Sequence, residues 1–194
     1  MIGVIMAGGK GTRLYPLTAN RPKPLVEVLG KPVIDYVNDA LLDAGIDEVI
    51  LTTGYQGEGL VSLVKEWNQQ KSGDFSVNNE TRPMGTAGSV KLLQDKLTDT
   101  FIVASGDAIL SSDLKKLISA HKFSKSKVTM ALWEVEDPTQ FGIVGLSSKM
   151  KGQIEANLSE GYITKFLEKP SLEDAFSNVI NAGLYIIEPE VLEH

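Results

Sequence analysis

The residues best suited to chemistry lie in a basic, glycine-rich loop near the N-terminus. The segment Ala7–Arg13 has the sequence AGGKGTR and follows an apolar run, Ile2–Met6, that is typical of a buried strand. Glycines let a backbone turn sharply and come close to a bulky group. Exposed backbone N–H groups and a cation both favour an anion. The loop therefore predicts a phosphate site, with a glycine-rich hairpin that binds no ligand as the alternative.

The spacing within this loop does not fit two common phosphate-binding motifs. A dinucleotide-binding fingerprint requires a third glycine three residues after Gly11, where Leu14 stands. A P-loop requires Ser or Thr after its lysine, whereas Gly11 follows Lys10, and Val4 stands where the first glycine should be. If the loop binds phosphate, it does so with another geometry.

Composition narrows the class of protein. The chain has 194 residues, of which 42% are hydrophobic and 23% charged, as in ordinary globular proteins. A net charge of −6 argues against a general nucleic-acid binder, which needs a basic face. The start of the chain is nevertheless basic, since five cations there face only Glu27: Lys10, Arg13, Arg21, Lys23 and Lys31. This asymmetry favours a site for a small, highly charged anion.

The absence of cysteine excludes disulfides, thiolate nucleophiles and cysteine-based metal sites. With only two histidines, His121 and His194, histidine-rich metal sites are excluded as well. No signal-peptide pattern or long apolar stretch is present, so we expect a soluble, cytoplasmic protein with no membrane partner.

Apolar runs alternate with amphipathic segments along the chain, which predicts a parallel sheet with helices on both faces. The second part is richer in strands and suggests an α+β extension of that sheet. Predicted strands are Ile2–Met6, Glu48–Thr53, Phe101–Ser105, Lys127–Glu134, Ile143–Leu146, Ile163–Glu168 and Ile180–Ile187. Predicted helices are Val33–Ala44, Leu60–Trp67, Ser89–Leu97 and Ser112–His121, the last with Ser112 as its N-cap.

Ligands of such sheets bind beyond the carboxyl ends of the strands, so the residues there are candidates. Asp107 follows the buried run Phe101–Ser105 and suits Mg²⁺, which prefers one or two carboxylates with phosphate oxygens and water. A helix cap or turn is the alternative for this carboxylate. Lys23 stands between Pro22 and Pro24, which hold the backbone extended; a solvated surface lysine is its alternative.

The strings AGGKGTRLYPLT and RPKPLVEVLGKPVIDYV resemble the N-terminal signature of the sugar-phosphate nucleotidylyltransferase family. Further similar segments follow in the family's order: Met84–Val90 (MGTAGSV), Ser105–Asp107 (SGD), Phe141–Val144 (FGIV), Phe166–Pro170 (FLEKP) and Asn181–Ile187 (NAGLYII). The family usually has Asn where Ser105 stands, which is a small departure.

This resemblance implies a Rossmann-like (GT-A-like) α/β fold with a mixed, mostly parallel sheet in a three-layer α/β/α arrangement. It implies one catalytic domain over residues 1–194, which we expect to lack its C-terminal part, including a second metal ligand of the family. The implied activity is Mg²⁺-dependent transfer of a nucleoside monophosphate from a nucleoside triphosphate to a sugar 1-phosphate. A homo-oligomer is an open option.

The resemblance also assigns roles to individual residues. Arg13, Lys23 and Asp107 are the implied catalytic residues, and Asp107 is the implied metal ligand. The implied nucleotide-binding set is Ala7, Gly8, Gly9, Gly11, Thr12, Arg13, Glu80, Gly85, Thr86 and Gly106. The implied sugar-phosphate set is Gly142, Glu168, Lys169 and Asn181. We expect His121 to lie on a helix surface, and Tyr55 and Trp67 to serve packing.

The choice of base rests on Glu80, which the resemblance places near the base edge. A carboxylate only accepts hydrogen bonds, and guanine offers N1–H and N2–H₂ donors, so we expect GTP with mannose 1-phosphate. The alternatives are a glucose-1-phosphate thymidylyl- or uridylyltransferase, or a non-catalytic regulatory subunit that binds nucleotide sugars. Non-catalytic relatives tend to lose the loop arginine, the lysine or the aspartate, all of which this chain keeps.

Overall fold

The computed structural model describes residues 1–9, 11–54, 57–82, 84–110 and 113–194. Lys10, Tyr55 and Ser112, for which the sequence made predictions, lie outside these ranges. The chain forms two compact units. Unit 1 contains residues 1–129 and 183–194, and unit 2 contains residues 130–182.

The centre of unit 1 is a mixed, mostly parallel sheet in the strand order β5–β4–β1–β6–β10. The parallel strands are β1 (Ile2–Met6), β4 (Glu48–Thr53), β5 (Asp74–Asn79) and β6 (Phe101–Ser105). Residues 184–187 of β10 (Val179–Ile187) run antiparallel to β6. A two-stranded hairpin of β2 (Glu27–Val28) and β3 (Lys31–Pro32) lies between β1 and the first helix in the chain. The predicted sheet class is confirmed.

Helices cover both faces of this sheet: α1 (Val33–Asp43), α2 (Glu58–Gln70) and α3 (Gly85–Lys91). Gly3 faces α1, because a Cβ there would lie 3.1 Å from Leu41. On the same face, Trp67 of α2 packs edge-on against Phe75 of β5 with 5.5 Å between ring centroids, which confirms its packing role.

The opposite face of the sheet packs against α3 and the turns that follow it. Val4, Ile50 and Val103 lie side by side on the three central strands and contact a buried cluster that includes Val90, Leu93, Leu97 and Phe101. Alternate residues of each strand thus face opposite helical layers, as a doubly covered parallel sheet requires.

Unit 2 is built on antiparallel strands. Strand β8 (Gly142–Ser147) pairs with β9 (Tyr162–Glu168), with an irregularity between Gly145 and Leu146. Ile143 of β8 lies opposite Ile180 of β10. Strand β7 (Val128–Glu134) contributes its residues from 130 onward to this unit.

Two elements differ from the sequence-based expectations for physical reasons. Strand β5 was missed because DFSVNN has only two apolar residues, as suits the last strand of a sheet, which has one strand neighbour. Helix α3 begins at Gly85 and ends at Lys91, whereas Ser89–Leu97 was predicted; Leu93 and Leu97 are buried but lie in or next to a series of turns rather than in the helix. Apolar spacing alone does not separate a helix from such turns.

Helix α4 (Leu114–Ser124) begins two residues after the predicted start at Ser112, and its N-cap is Asp113. The Asp113 carboxylate accepts hydrogen bonds from the backbone N–H groups of Lys115 (3.1 Å) and Lys116 (3.3 Å). A side-chain oxygen in this position satisfies N–H groups that have no partner inside the helix. None of the helices in the described part of the chain is long and apolar enough to cross a membrane.

The prediction of an exposed His121 was wrong, since this side chain is 2% exposed. Its Nε2 lies 3.0 Å from Glu188 Oε1, and its Nδ1 lies 2.7 Å from Thr129 Oγ1. A carboxylate can only accept, so Nε2 carries a hydrogen and donates to Glu188; in the neutral ring Nδ1 then accepts from the threonine hydroxyl. The His121 hydrogen bond outweighs desolvation and holds the pKa of Glu188 below its usual range. His121 therefore joins α4 to the end of the sheet.

We predict that His121→Ala lowers the free energy of unfolding by about 2 kcal/mol, because Glu188 and Thr129 lose a buried partner. Urea unfolding followed by circular dichroism measures this. Lys122→Ala, the exposed neighbour on α4, is the matched control and should change stability by about 0.5 kcal/mol or less. Equal losses in both variants would contradict the structural role of His121.

Candidate active site

Four strand ends of unit 1 are joined by backbone hydrogen bonds along one edge of the sheet. Ala7 N–H donates to Thr52 O (2.8 Å), and Gly106 N–H donates to Met6 O (2.9 Å). Glu80 N–H donates to Thr53 O (2.7 Å). The segments that follow β1, β4, β5 and β6 are therefore held next to one another, at the edge where open α/β sheets bind ligands.

A cavity of about 720 Å³ opens at this edge. Such a volume suits a ligand of nucleotide size. Of the predicted nucleotide-binding and catalytic residues, the cavity is lined by Ala7, Gly8, Gly9, Lys23, Glu80, Gly85, Thr86 and Asp107. Further lining residues, to which the sequence analysis assigned no individual role, include Thr52, Arg82, Ser89, Ser105, Gly183 and Tyr185.

The glycines of the loop differ in what their missing side chains leave room for. A Cβ at Gly9 would meet no atom within 4 Å, so the packing of the described residues does not explain this glycine. Gly11 has φ +62°, and a Cβ there would lie 2.8 Å from Lys23 Cβ and 2.9 Å from Thr18 Cγ2. Glycine at position 11 is thus required by the packing of Lys23 and Thr18, whereas glycine at position 9 leaves space beside the cavity.

Some predicted residues do not line the cavity. Gly11, Thr12 and Arg13 lie at a short 3-10 turn (Thr12–Leu14) next to it, where Arg13 is exposed. Gly106 is buried below it, because a Cβ there would lie 2.9 Å from Met6 O and 3.0 Å from Ile5 Cγ2. Glycine at position 106 is explained by the contact between β6 and β1.

Lys23 and Asp107 form an ion pair at the cavity, with 2.6 Å between Nζ and Oδ2. Pro22 is extended as predicted, but Lys23–Leu25 form a short 3-10 turn that includes Pro24, so the predicted extended backbone at Lys23 was wrong. The other carboxylate oxygen of Asp107, Oδ1, accepts a hydrogen bond from Ser105 Oγ at 2.5 Å. About a third of each ion-pair side chain is exposed.

Partial burial pushes the pKa of Asp107 upward, but the hydrogen bonds from Lys23 and Ser105 outweigh it and hold the pKa below its usual range. A depressed pKa means that the favourable interaction is complete above the ordinary pKa of an aspartate, about 4, and is lost as the pH falls through the folded value. Asp107 is therefore a carboxylate at neutral pH.

The donor set at Asp107 fits a magnesium ion that is shared with a phosphate ligand. Within the described residues, no group of three or more His, Cys, Asp and Glu side chains could enclose a metal on its own. Mg²⁺ usually takes one or two carboxylates and completes its shell with phosphate oxygens and water. A single ionised carboxylate on an open cavity is consistent with that pattern.

Glu80 and the Gly85 segment line another part of the cavity. Glu80 Oε2 accepts a hydrogen bond from Met84 N–H at 3.3 Å, and a Cβ at Gly8 would lie 4.0 Å from Glu80 Oε1. Gly85 has φ +71°, a conformation that favours glycine. Glu80 and Arg82 thus bring a second pair of opposite charges to the cavity, in addition to Lys23 and Asp107.

The predicted sugar-phosphate residues all lie in unit 2. Gly142 lies opposite Glu168 in the β8–β9 pair, and a Cβ there would lie 2.8 Å from Glu168 Oε2. Lys169, at φ +45°, donates its N–H to Phe141 O (2.9 Å), and its Nζ lies 3.8 Å from Glu168 Oε1. Asn181 follows Ile180, which pairs with β8. The structure therefore groups Gly142, Glu168 and Lys169.

The lining residues that were missed differ in how they could have been found. Thr52 and Ser105 stand at the ends of β4 and β6, so the strand-end rule applied to both of them. Gly183 and Tyr185 lie on β10, whose place beside β6 is set by an antiparallel pairing between distant segments. No local pattern in the sequence predicts a pairing between segments so far apart.

We predict that alanine at Gly9 affects ligand binding, whereas alanine at Gly11 affects stability. Gly9→Ala should leave the melting temperature within about 2 °C, since the new methyl group meets nothing, yet weaken GTP binding about tenfold by occupying ligand space. Gly11→Ala should lower stability by about 1–2 kcal/mol, because of its positive φ and its contacts with Lys23 and Thr18. Thermal unfolding and calorimetric titration with GTP test both. Unchanged GTP affinity in Gly9→Ala would contradict the assignment of the loop.

Comparison with known proteins agrees with this geometry. A family model described as "Nucleotidyl transferase" matches residues 2–194. Mannose-1-phosphate guanylyltransferase 1 of Arabidopsis thaliana is 36% identical over 197 residues, and mannose-1-phosphate guanyltransferase of Saccharomyces cerevisiae is 35% identical over 196. Both alignments cover 100% of this chain and 51% of the relative. The chain thus spans about half the length of these relatives.

Solved structures show the same fold. HddC from Yersinia pseudotuberculosis, complexed with GMP-PN, has a TM-score of 0.76 and 28% identity, and the match covers 99% of this chain and 78% of that one. A UDP-glucose pyrophosphorylase complexed with UDP-glucose has a TM-score of 0.81 and 25% identity, covering 99% and 77%. Because the family model matches almost the whole of this chain, residues 2–194, the chain belongs to the nucleotidyl transferase family.

Proposed function

We propose that this protein transfers a nucleoside monophosphate from a nucleoside triphosphate to a sugar 1-phosphate and releases pyrophosphate. The observation that carries the proposal is the Lys23–Asp107 pair at 2.6 Å, on a cavity that also holds the glycines of the loop. The cavity thus brings together the Lys23 cation, the Asp107 carboxylate and the open space beside Gly9, all at the carboxyl ends of the parallel strands. Membership of the nucleotidyl transferase family supports the same reaction class.

The chemistry requires little of the protein beyond positioning. The phosphate of a sugar phosphate has a second pKa of about 6, so it is largely dianionic at neutral pH. Its attacking oxygen therefore needs no general base. One of its phosphate oxygens attacks the α-phosphorus of the triphosphate and forms a new P–O bond. The bond from the α-phosphorus to the oxygen that bridges to the β-phosphorus breaks, and its electron pair leaves with pyrophosphate. Orientation and charge neutralisation account for the catalysis of such transfers.

The residues of unit 1 fit these needs. Arg13 and the N–H groups of the loop would bind the β- and γ-phosphates and stabilise the leaving pyrophosphate. Residues 7–13 supply hydrogen-bond donors and contain no carboxylate that would repel a phosphate. Lys23 would contact the α-phosphate. Asp107 would hold Mg²⁺, which supplies positive charge to the phosphate oxygens when bound.

Unit 2 would bind the sugar phosphate. Lys169 offers a partly exposed ammonium group for the phosphate, and its side chain is about half exposed. Glu168 and Asn181 offer hydrogen-bonding groups for sugar hydroxyls, and the backbone of Gly142 lies directly across from Glu168. These assignments follow the order of the FGIV, FLEKP and NAGLYII segments.

We propose GTP and mannose 1-phosphate as the substrates. Glu80 lines the cavity and offers acceptors to the N1–H and N2–H₂ donors of guanine. Uracil and thymine present a single donor between two carbonyl oxygens, which a carboxylate repels. The relatives at 36% and 35% identity are named for mannose 1-phosphate and guanylyl transfer, which supports this choice.

Pyrophosphate release, measured over a grid of five nucleoside triphosphates and several sugar 1-phosphates with Mg²⁺, tests the proposal. We expect the highest rate with GTP and mannose 1-phosphate. A higher rate with dTTP or UTP would instead support a thymidylyl- or uridylyltransferase. No release in any combination, with GDP-mannose binding retained, would support a non-catalytic subunit.

We further predict that Glu80→Gln lowers kcat/KM for GTP about tenfold but does not lower it for UTP, because glutamine replaces one acceptor with a donor that suits a uracil carbonyl. The ratio of the two kcat/KM values is the measurement. Glu66→Gln, an exposed position on α2 with the same change in charge, is the control and should leave the ratio unchanged. An unchanged ratio in Glu80→Gln would remove Glu80 from base selection.

A further inference from the structure

The two carboxylate oxygens of Asp107 have different partners. Oδ1 accepts from the hydroxyl of Ser105 at 2.5 Å, and Oδ2 lies 2.6 Å from the ammonium group of Lys23. Both oxygens are therefore engaged in the structure. Each oxygen has a second lone-pair site, so the Ser105 hydrogen bond leaves Asp107 able to bind a metal ion, whereas a metal ion on Oδ2 would lie beside the positive charge of Lys23.

Ser105 is the partner with the less mobile side chain. It is the last residue of β6, where its backbone pairs with Met6 of β1. Gly183 of β10 lies alongside, since a Cβ there would lie 3.2 Å from Ser105 Cβ. A serine hydroxyl has a single side-chain torsion, χ1, and Ser105 carries it on a strand with neighbours on both sides.

Lys23 is the partner that can leave. Its ammonium group stands at the end of a four-carbon stem, and 36% of the side chain is exposed. The base of the stem is held, because Lys23 Cβ fills the space left by Gly11. The head can therefore move away from Asp107 while the segment Lys23–Leu25 stays in place.

We propose that Ser105 is a positioning residue that keeps Oδ1 of Asp107 occupied, so that Lys23 and a divalent cation are alternative partners of Oδ2. This inference rests on the proposed function. Two positive charges on one oxygen repel each other, so Lys23 is released when a metal ion binds. The ammonium group is then free for the phosphate of the substrate, which couples metal binding to the assembly of the site.

The test is Mn²⁺ binding without nucleotide, measured on the full chain by the electron paramagnetic resonance signal of free Mn²⁺. Lys23→Met should bind Mn²⁺ about tenfold more tightly than the unsubstituted chain, because the competing charge is gone. Asp107→Asn should abolish this binding. Lys127→Met, which removes the same charge from an exposed ion pair with Glu190, is the control and should bind Mn²⁺ like the unsubstituted chain.

The role of Ser105 has its own pair of variants. Ser105→Ala should weaken Mn²⁺ binding about fivefold, the effect of one hydrogen bond, because the carboxylate can then turn both oxygens toward Lys23. Ser105→Thr keeps the hydroxyl and should bind Mn²⁺ within about twofold of the unsubstituted chain. Melting temperatures, expected to be alike, separate positioning from a loss of folding.

Weaker or equal Mn²⁺ binding in Lys23→Met would overturn the proposed competition, as would the absence of Mn²⁺ binding in every variant. Equal binding in Ser105→Ala and Ser105→Thr would overturn the role of Ser105. The proposed function is judged separately by pyrophosphate release. Turnover with GTP but no change in Mn²⁺ affinity would leave the function standing and remove only this inference.

Discussion

Lys23 and Asp107 are 84 positions apart in the chain, and their ion pair brings the N-terminal basic segment to the end of β6. Each side of this contact depends on a glycine. Gly11 leaves room for the stem of Lys23, and Gly106 lets the chain after β6 lie against the Met6 carbonyl. The contact also holds Asp107 as a carboxylate, because the hydrogen bonds from Lys23 and Ser105 outweigh the effect of burial on its pKa.

The sheet makes this contact possible by aligning strand ends. Parallel pairing of β1 with β4 and β6 places the three following segments at one edge, and backbone hydrogen bonds at Ala7, Glu80 and Gly106 fasten them. Helices and packed apolar side chains cover the two faces of this sheet, and the cavity of unit 1 lies at the strand ends. The buried side chain of His121 also fastens a helix to the sheet, because its hydrogen bonds with Glu188 and Thr129 hold α4 against the strands.

The sequence predicts most where a residue's role is local. The apolar runs of β1, β4 and β6 gave their bounds correctly, and Asp107 follows from its place after a strand. The burial of His121 and the place of Tyr185 depend on neighbours from distant segments, so they could not be predicted from spacing. Ser105 lies at a strand end two residues from Asp107, so the strand-end rule applied to it. Strand β5 was missed because it is the edge strand of the sheet, where polar residues are tolerated. Glu80 was proposed from the family resemblance, and its carboxylate does line the cavity.

In the proposed function, a nucleoside triphosphate binds in the cavity of unit 1 with its phosphates toward the glycine-rich loop. A crystal structure of the protein with a non-hydrolysable GTP analogue and Mn²⁺ tests this directly. We predict phosphate density beside Gly8 and Gly9, the base between Glu80 and Gly85, and anomalous signal from Mn²⁺ at Asp107. A nucleotide bound elsewhere, or bound in the cavity with its base on the loop and its phosphates at Glu80, would contradict the account.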